Sequence, residues 1–503
     1  MSVPLLRIAG RLRQEGLLVR EIAGSAGIRD VSVHAITSDS RTVPAGSLFC
    51  AVRGAVVDGH SYLPAVAEAG AAAALVEKPV EGISIPQIVV TKSRAAVAFA
   101  AAEFFSDPWK EMTLVGVTGT NGKTTTASIL RHLLGTKGPA ASIGTLGLIG
   151  ADGQLVPGSE GLTTPGPIQF ARELRGLADE GVRSVAMEVS SHALEQGRVA
   201  AAVFSAAIFT NLTRDHLDYH GDLESYRAAK LGLVDLVRSG GVIAVNADDP
   251  AWAEVTRADA HVIRFGTQGE GEVLAEDIEM SGDGVSWKLW TPSCTSPVTM
   301  PVVGLYNVYN ALGAATALWG LGWTANEIAE ALATLGQVPG RMERVPVPGG
   351  PRIVIDFAHT PDALERAISA LRPMVEGRLI VVFGAGGDRD RGKRPEMGRV
   401  VAELADLAIV TSDNPRHEDP DAIADDIEAG MGAGPRERII NRKEAIARAI
   451  ALATPEDAIL VAGKGHETYQ IRGDESFPFD ERKIIAEILA ERTNGETATG
   501  GDS

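Results

Sequence analysis

GVTGTNGKTTT, Gly116 to Thr126, is the stretch whose reading decides the fold. The apolar run Leu114 to Val117 predicts a buried strand. Lys123 to Leu134 predicts a helix with Ile129, Leu130, Leu133 and Leu134 on its inner side. Between them, Gly119 and Gly122 let the backbone curl so that its N–H groups point at phosphate oxygens, helped by the helix N-terminus. Lys123 would reach the outer phosphates and the Thr124 hydroxyl would face Mg²⁺. The strict phosphate-loop pattern has glycine where this chain has Val117, and Gly116 stands one residue early. A plain glycine turn has no need of Lys-Thr-Thr at a helix start. The run Gly119, Thr120, Asn121, Gly122, Lys123, Thr124, Thr125 is therefore expected to cradle a nucleoside triphosphate, ATP.

Working outward, 503 residues suit about three domains. A 45% hydrophobic content allows sizeable cores, and 56 glycines fit an α/β protein with many tight strand–loop turns. The net charge of −18 argues against a nucleic-acid partner, which requires extended basic surface. An anionic ligand must instead meet local basic clusters. Two cysteines, Cys50 and Cys294, lie far apart and outside any metal-ligand spacing, which fits a reducing cytoplasm. The N-terminal residues lack the apolar core of a signal peptide, and no apolar run is long enough to span a membrane.

Three units are expected. Residues 1–110 contain strand-like Ser32–Thr37 and Ser47–Val52 and an alanine-rich stretch, Ala65 to Leu75, that reads as helix. Residues 111–338 alternate buried strands (Ser184–Val189, Ala206–Asn211, Val242–Asn246) with helices, the pattern of a doubly wound, mostly parallel sheet. An antiparallel patch at Val273–Val302 and a helix from Asn307 to Trp319 follow. Residues 339–503 open at Pro339-Gly340, with strands Ile353–Phe357, Leu379–Phe383, Leu407–Thr411 and Ala458–Ala462. The tail GETATGGDS is expected to be disordered.

Nearly every predicted strand ends in a polar signature, where open α/β sheets gather ligands. Glu188 runs into SSHALEQGR, and Asn211 into LTRDHLDYHG. In the third unit the tips read DFAHTPDAL, GAGGDRDRGKR, SDNPRHEDP and GKGHET. Such tips in two α/β units imply two half-sites facing across a cleft. Glu188 sits in an apolar strand, where an unpaired carboxylate is costly. A metal on the triphosphate is one partner for it, with His216 as a second ligand; a nearby arginine is the alternative. Lys230, in YRAAKLGL, reads by itself as a solvated helical lysine. Arg389, Arg391, Lys393 and Arg394 outnumber Asp388 and Asp390, which fits either a phosphate or carboxylate site or a solvated turn. Arg416 offers a planar fork suited to a carboxylate.

Together these motifs resemble the Mur ligases, ATP-dependent amide-forming enzymes of peptidoglycan precursor synthesis, and most closely their MurE type. The likeness runs from about Ser38 to Arg482. It includes DSR at Asp39–Arg41, TTP at Thr163–Pro165, MEVSSHAL, TNLTRDHLDYHG, GLYNVYNALGAA, DFAHTPDAL, GGDRDRGKRPEMG, DNPR and GKGHE. It departs at Leu162, at Ala55-Val56-Val57 and at Phe479-Asp480-Glu481-Arg482.

The resemblance implies a three-domain α/β architecture. The N-terminal domain would bind the UDP part of the substrate, the central parallel-sheet domain would be the ATPase, and the C-terminal Rossmann-like domain would take the amino acid. It implies that Ser38, Ser40, Thr163, Thr164, Ser190, Gln196 and Arg198 meet UDP-MurNAc-L-Ala-D-Glu. Thr124, Glu188 and His216 would hold Mg²⁺, two ions being expected, with Lys230 carbamylated as a further ligand. Lys123, Glu188, His216 and Lys230 would then be the catalytic set, with Asn307 and Arg341 near the nucleotide. Arg389, Asp413, Asn414, Pro415, Arg416, Gly463 and Glu467 would meet the amino acid. The DNPR loop is the family's mark for meso-diaminopimelate, whose extra carboxylate Arg416 would pair.

A cytoplasmic monomer serving cell-wall synthesis, and through it cell shape and division, is expected. The rivals are an enzyme adding L-lysine or L-ornithine, another amide ligase such as a folylpolyglutamate synthase, and a non-catalytic nucleotide switch.

Overall fold

In the computed structural model, residues 2–54, 57–159, 161–281 and 284–499 are described, with side chains through Arg492. Ala55 and Val56, two of the departures from the family pattern, lie outside the described residues.

Thr113–Thr118 is a fully hydrogen-bonded parallel strand between Ser184–Glu188 and Phe204–Phe209. Leu114 to Thr118 are all buried, as expected of a strand covered on both faces. The ten-stranded sheet around it runs Gly147–Ile149, Ala140–Gly144, Ser184–Glu188, Thr113–Thr118, Phe204–Phe209, Val237–Asn246, His261–Gly266, Val273–Ser281, Gly284–Trp290, Thr295–Met300. It is parallel except at its two ends, and the last three strands form the expected antiparallel patch. The chain leaves Thr113–Thr118 in one direction and later returns on its other side. A crevice therefore opens at that strand's carboxyl end, where the phosphate-loop sequence begins. The helices Lys123–Gly135 and Leu305–Gly320 pack together on one face over Ile129, Leu130, Leu133, Val308, Leu312 and Leu318.

The C-terminal sheet has six strands in the order Glu343–Val345, Arg352–Asp356, Ala458–Ala462, Leu379–Phe383, Leu407–Val410, Arg436–Arg438. All pairs but the first are parallel. Apolar clusters lie on both faces, one holding Leu364, Val381 and Val401, the other Ile355, Ile446 and Ile485.

The N-terminal sheet has five strands, Leu18–Ile22, Gln87–Val90, Ala73–Val76, Ser47–Cys50, Ala35–Thr37. Here the alanine-rich reading fails. Only Leu63–Glu68 is α-helical, and Ala73–Val76 is a buried parallel strand. Gly70, at φ +96°, ends the helix. Burial between two strands then overrides alanine's helix propensity. The last helix, Glu481–Thr499, also extends into the tail expected to be disordered, and the final four residues lie outside the described residues. Among the described residues no helix is long and apolar enough to cross a membrane.

Candidate active site

The loop after Thr118 turns through Gly119 (φ +146°) and Gly122 (φ +88°), conformations that L side chains avoid. A Cβ on Gly119 would collide with Thr210 Oγ1, and one on Gly122 with Asn310 Oδ1. The loop is stapled to the neighbouring strand exit. Asn121 N–H donates to Asn211 Oδ1 at 2.9 Å, and Thr210 Oγ1 donates to the Asn121 carbonyl at 2.7 Å. The helix that follows has no acidic residue in its first turn, so its positive end faces the cleft uncompensated. Lys123 Nζ donates to the Gly119 and Thr120 carbonyls at 3.0 and 2.8 Å, and burial lowers its pKa. Arg341 arrives from beyond the central sheet and donates to Thr124 Oγ1 at 2.9 Å, while its guanidinium lies 4.6 Å from the Phe357 ring centroid.

Glu188, 1% exposed, accepts from Thr145 N–H at 2.8 Å and Thr145 Oγ1 at 3.1 Å. Among the described residues no direct ion pair to it forms, although Lys123 and Arg341 both lie close enough to feel its charge. Lys230 is 1% exposed, not solvated. Its Nζ donates to the Gly119 carbonyl at 2.7 Å and lies 4.3 Å from the Tyr226 ring centroid. Burial, and then Lys123 nearby, hold its pKa well below the usual lysine value. His216 sits in a left-handed conformation (φ +54°) that turns it toward the cleft beside Asp215, 3.5 Å away. Burial lowers its pKa. Among the described residues no three His, Cys, Asp or Glu side chains cluster to hold a metal. The donor set instead fits Mg²⁺, which takes one or two protein ligands and completes its shell with phosphate oxygens and water.

Of the residues expected at the UDP substrate, Thr163 and Ser190 line the cleft. Thr164, fully buried, donates to the Glu188 carbonyl at 2.9 Å and accepts from Ser190 N–H at 3.0 Å. Arg198 holds the Thr164 carbonyl at 2.9 Å and Gln196 Oε1 at 2.8 Å, so these side chains brace the TTP segment. Ser38 and Ser40 lie just beyond the strand Ala35–Thr37. Asn307 is 2% exposed and accepts from Asn310 Nδ2 at 3.1 Å; Asn310, not singled out from the sequence, lines the nucleotide-side cavity.

The third-unit tips face the phosphate loop. One cavity of about 600 Å³ is lined by Lys123, Thr124, Glu188, His216 and Lys230, and also by Arg389, Asp413, Asn414, Arg416, Gly463 and Glu467. The basic cluster divides. Arg391 and Arg394 are spent on Glu418 and Asp426, with Arg394 fully buried, while Arg389 and Lys393 line the cavity. Arg416, at φ +51°, donates to the Gly387 carbonyl at 2.8 Å. Burial and the neighbouring Arg389 both lower its pKa, so two guanidinium groups converge where an anion would be welcome. Behind them Lys464, fully buried, donates to Asn414 Oδ1 at 3.0 Å and Glu467 Oε2 at 3.1 Å.

A second cavity of about 280 Å³ shares Asn121, Gly122, Thr125 and Arg341 with the first. It adds Asp248, Tyr309, Phe265 and Asp356. Tyr309 Oη donates to Asp248 Oδ2 at 2.6 Å, and Thr267 N–H to the same oxygen at 2.7 Å. Nothing in the sequence marked Asp248, and Tyr309 lay inside GLYNVYNALGAA without an assigned role. His359 lay inside a quoted motif without an assigned role, Lys393 was read only as one cation of the basic cluster, and Thr145 had no signal at all.

A phosphate-loop turn facing the basic strand tips of a second α/β sheet across one cleft is the framework of an ATP-dependent ligase, and the chain belongs to the Mur ligase family. Residues 117–318 match the Mur ligase middle domain, 340–465 the Mur ligase glutamate ligase domain, and 32–104 the Mur ligase family catalytic domain. The chain is 43% identical over 473 residues to the UDP-N-acetylmuramoyl-L-alanyl-D-glutamate–2,6-diaminopimelate ligase of Geobacillus thermodenitrificans, covering 92% of this chain and 95% of that protein. It is 41% identical to the protein of the same name from Gloeobacter violaceus, covering 96% and 99%. A solved structure of a ligase of that name matches 98% of this chain and all of its own, at TM-score 0.69 and 29% identity.

Proposed function

We propose that this chain is an ATP-dependent ligase that joins meso-diaminopimelate to the D-glutamate γ-carboxylate of UDP-MurNAc-L-Ala-D-Glu. The observation that carries the reading is the single cavity of about 600 Å³ lined by Lys123 and Thr124 on one side and by Arg389, Asp413 and Arg416 on the other. Relatives matching nearly the whole chain bear that activity in their names.

In this reading residues 111–338 bind ATP, with phosphates on the Gly119–Thr125 backbone and the nucleoside in the smaller cavity beside Asn310 and Arg341. Residues 1–110, through Ser38 and Ser40, together with Thr163, Thr164, Ser190, Gln196 and Arg198, hold the UDP-dipeptide. Residues 339–503 present the amino acid. A γ-carboxylate oxygen attacks the terminal phosphorus, the bond to the bridging oxygen breaks, and ADP leaves an acyl phosphate. The diaminopimelate amine then attacks the acyl carbon, loses a proton, and expels phosphate as the amide forms. Lys123 stabilises the charge that develops during phosphoryl transfer. Thr124, Glu188, His216 and a carbamylated Lys230 would hold two Mg²⁺ ions, which would offset the repulsion between carboxylate and triphosphate. A neutral amine is what carbon dioxide carbamylates, and the lowered pKa of Lys230 supports that modification. Arg416 pairs the second carboxylate of diaminopimelate, which lysine lacks. Both half-sites belong to one chain, which supports a monomer as the working unit. Unpaired Cys50 and Cys294 support a cytoplasmic setting.

The test is ADP release and product mass with the UDP-dipeptide and, in turn, diaminopimelate, L-lysine, L-ornithine or no amino acid. Diaminopimelate should be used far better than the others. Equal use of lysine would sink the assignment of the amino acid. ATP binding without amino-acid-dependent turnover would instead favour a nucleotide switch.

A further inference from the structure

Beneath the cleft-facing tips of the six-stranded sheet lies a charged pair that the reaction does not use. Arg442 opens the helix Arg442–Leu452 and Glu481 opens the helix Glu481–Thr499. Both side chains are fully buried, and Arg442 Nε donates to Glu481 Oε1 at 2.7 Å. The rest of the guanidinium goes to main chain. Nη2 donates to the Ala462 carbonyl at 2.7 Å and Nη1 to the Ser412 carbonyl at 3.4 Å. Those residues immediately precede Gly463 and Asp413, which begin two of the segments lining the cavity.

The strands that deliver the two segments are not neighbours, because Leu379–Phe383 runs between Ala458–Ala462 and Leu407–Val410. No ladder hydrogen bond therefore sets the spacing of their tips; the arginine fork spans the gap at their bases, and the Lys464–Asn414 and Asn414–Glu467 hydrogen bonds join the segments further out. The fit at the tips is close: Gly463 has φ +121°, and a Cβ there would collide with Asp413 Oδ2. Stability offers little reason for the pair. A buried ion pair is often no better than apolar side chains of similar volume. A cation in the first turn also opposes the helix dipole. Lysine would not replace it, since its three donors radiate from one nitrogen, whereas the guanidinium meets three separate acceptors from three nitrogens spread over a plane.

We infer that Arg442, with its charge balanced by Glu481, is a positioning residue for the amino-acid cradle. Its fork sets the separation of the Asp413–Arg416 and Gly463–Glu467 segments, and so the fit of the incoming amino acid. The inference rests on the reading of this cradle as the amino-acid site.

The test compares the full-length protein with Arg442→Met/Glu481→Leu, which removes both charges at similar volume, and with Arg442→Lys, which keeps the charge without the fork. In hydrogen exchange without substrates, segments 412–416 and 463–467 should exchange several-fold faster in both variants, with 116–126 unchanged. In kinetics, KM for diaminopimelate should rise about tenfold to a hundredfold, while KM for ATP and the UDP-dipeptide stays within about twofold. Wild-type exchange and KM in the double variant would make the pair a replaceable filler and overturn the inference. Equal losses toward all three substrates, or a wild-type KM in Arg442→Lys, would also overturn it. If the unmodified protein consumes no ATP with diaminopimelate, the functional reading falls, and the exchange measurement still decides the positioning claim. Should the double variant not fold, Arg442→Lys carries both measurements alone.

Discussion

Gly119 to Thr125 builds its side of the cleft from one continuous run of backbone. The side facing it draws Arg389, Asp413, Asn414, Arg416, Gly463 and Glu467 from three strand exits. The first half is shaped by two left-handed glycines and a helix N-terminus. The second depends on buried side chains. Lys464 ties Asn414 to Glu467, Arg394 ties the Gly386 carbonyl to Glu418, and Arg442 ties the Ser412 and Ala462 carbonyls. A site made of contiguous backbone carries its geometry in a short motif. One assembled from separate loops needs buried polar side chains that tie the loops together.

Four measurements would break or sharpen this contrast. On the backbone side, Lys123→Ala should cut ADP release by at least about a hundredfold, the scale of losing a charge-stabilising donor in transfer. Near-normal turnover would remove Lys123 from the chemistry. On the side-chain side, Arg416→Ala should cost about 1.5–3 kcal/mol, tenfold to a hundredfold in kcat/KM, with diaminopimelate and much less with lysine. Equal losses would reject the carboxylate fork.

A mirrored pair of glycines comes next. Gly122 (φ +88°) and Gly463 (φ +121°) each leave no room for a Cβ, the first against Asn310 Oδ1 and the second against Asp413 Oδ2. Each alanine variant should cost about 1–3 kcal/mol of strain. Gly122→Ala should raise KM for ATP and spare that for diaminopimelate, and Gly463→Ala should do the reverse. A shared phenotype would mean that the two halves are not built independently.

The smallest effect concerns pH. Burial, then Lys393 nearby, lowers the His359 pKa to about 4, below its ordinary 6.5. The unfolded chain binds more protons between those values, so stability should rise with pH across that window and be lost as pH falls through it. His359→Gln should flatten the acid side of a melting-temperature profile. His192, at about 4, and His466, at about 3, leave part of the slope in place.

The strand–loop–helix at Leu114 to Leu134 and the central strands of both α/β sheets were legible from apolar runs and glycine spacing, because local backbone geometry and burial on both faces leave their mark residue by residue. The polar strand tips were legible as facing one cleft, because such tips gather at the carboxyl ends of the strands. Tertiary structure alone decided that Ala73–Val76 is a strand, since its partners come from elsewhere in the chain. It also decided that Lys230 is buried, that Arg391 and Arg394 belong to ion pairs while Arg389 and Lys393 face the cavity, and that Asp248 and Tyr309 meet beside the nucleotide loop. Burial and partnership of a long charged side chain depend on what distant segments bring alongside it, and no local pattern encodes that.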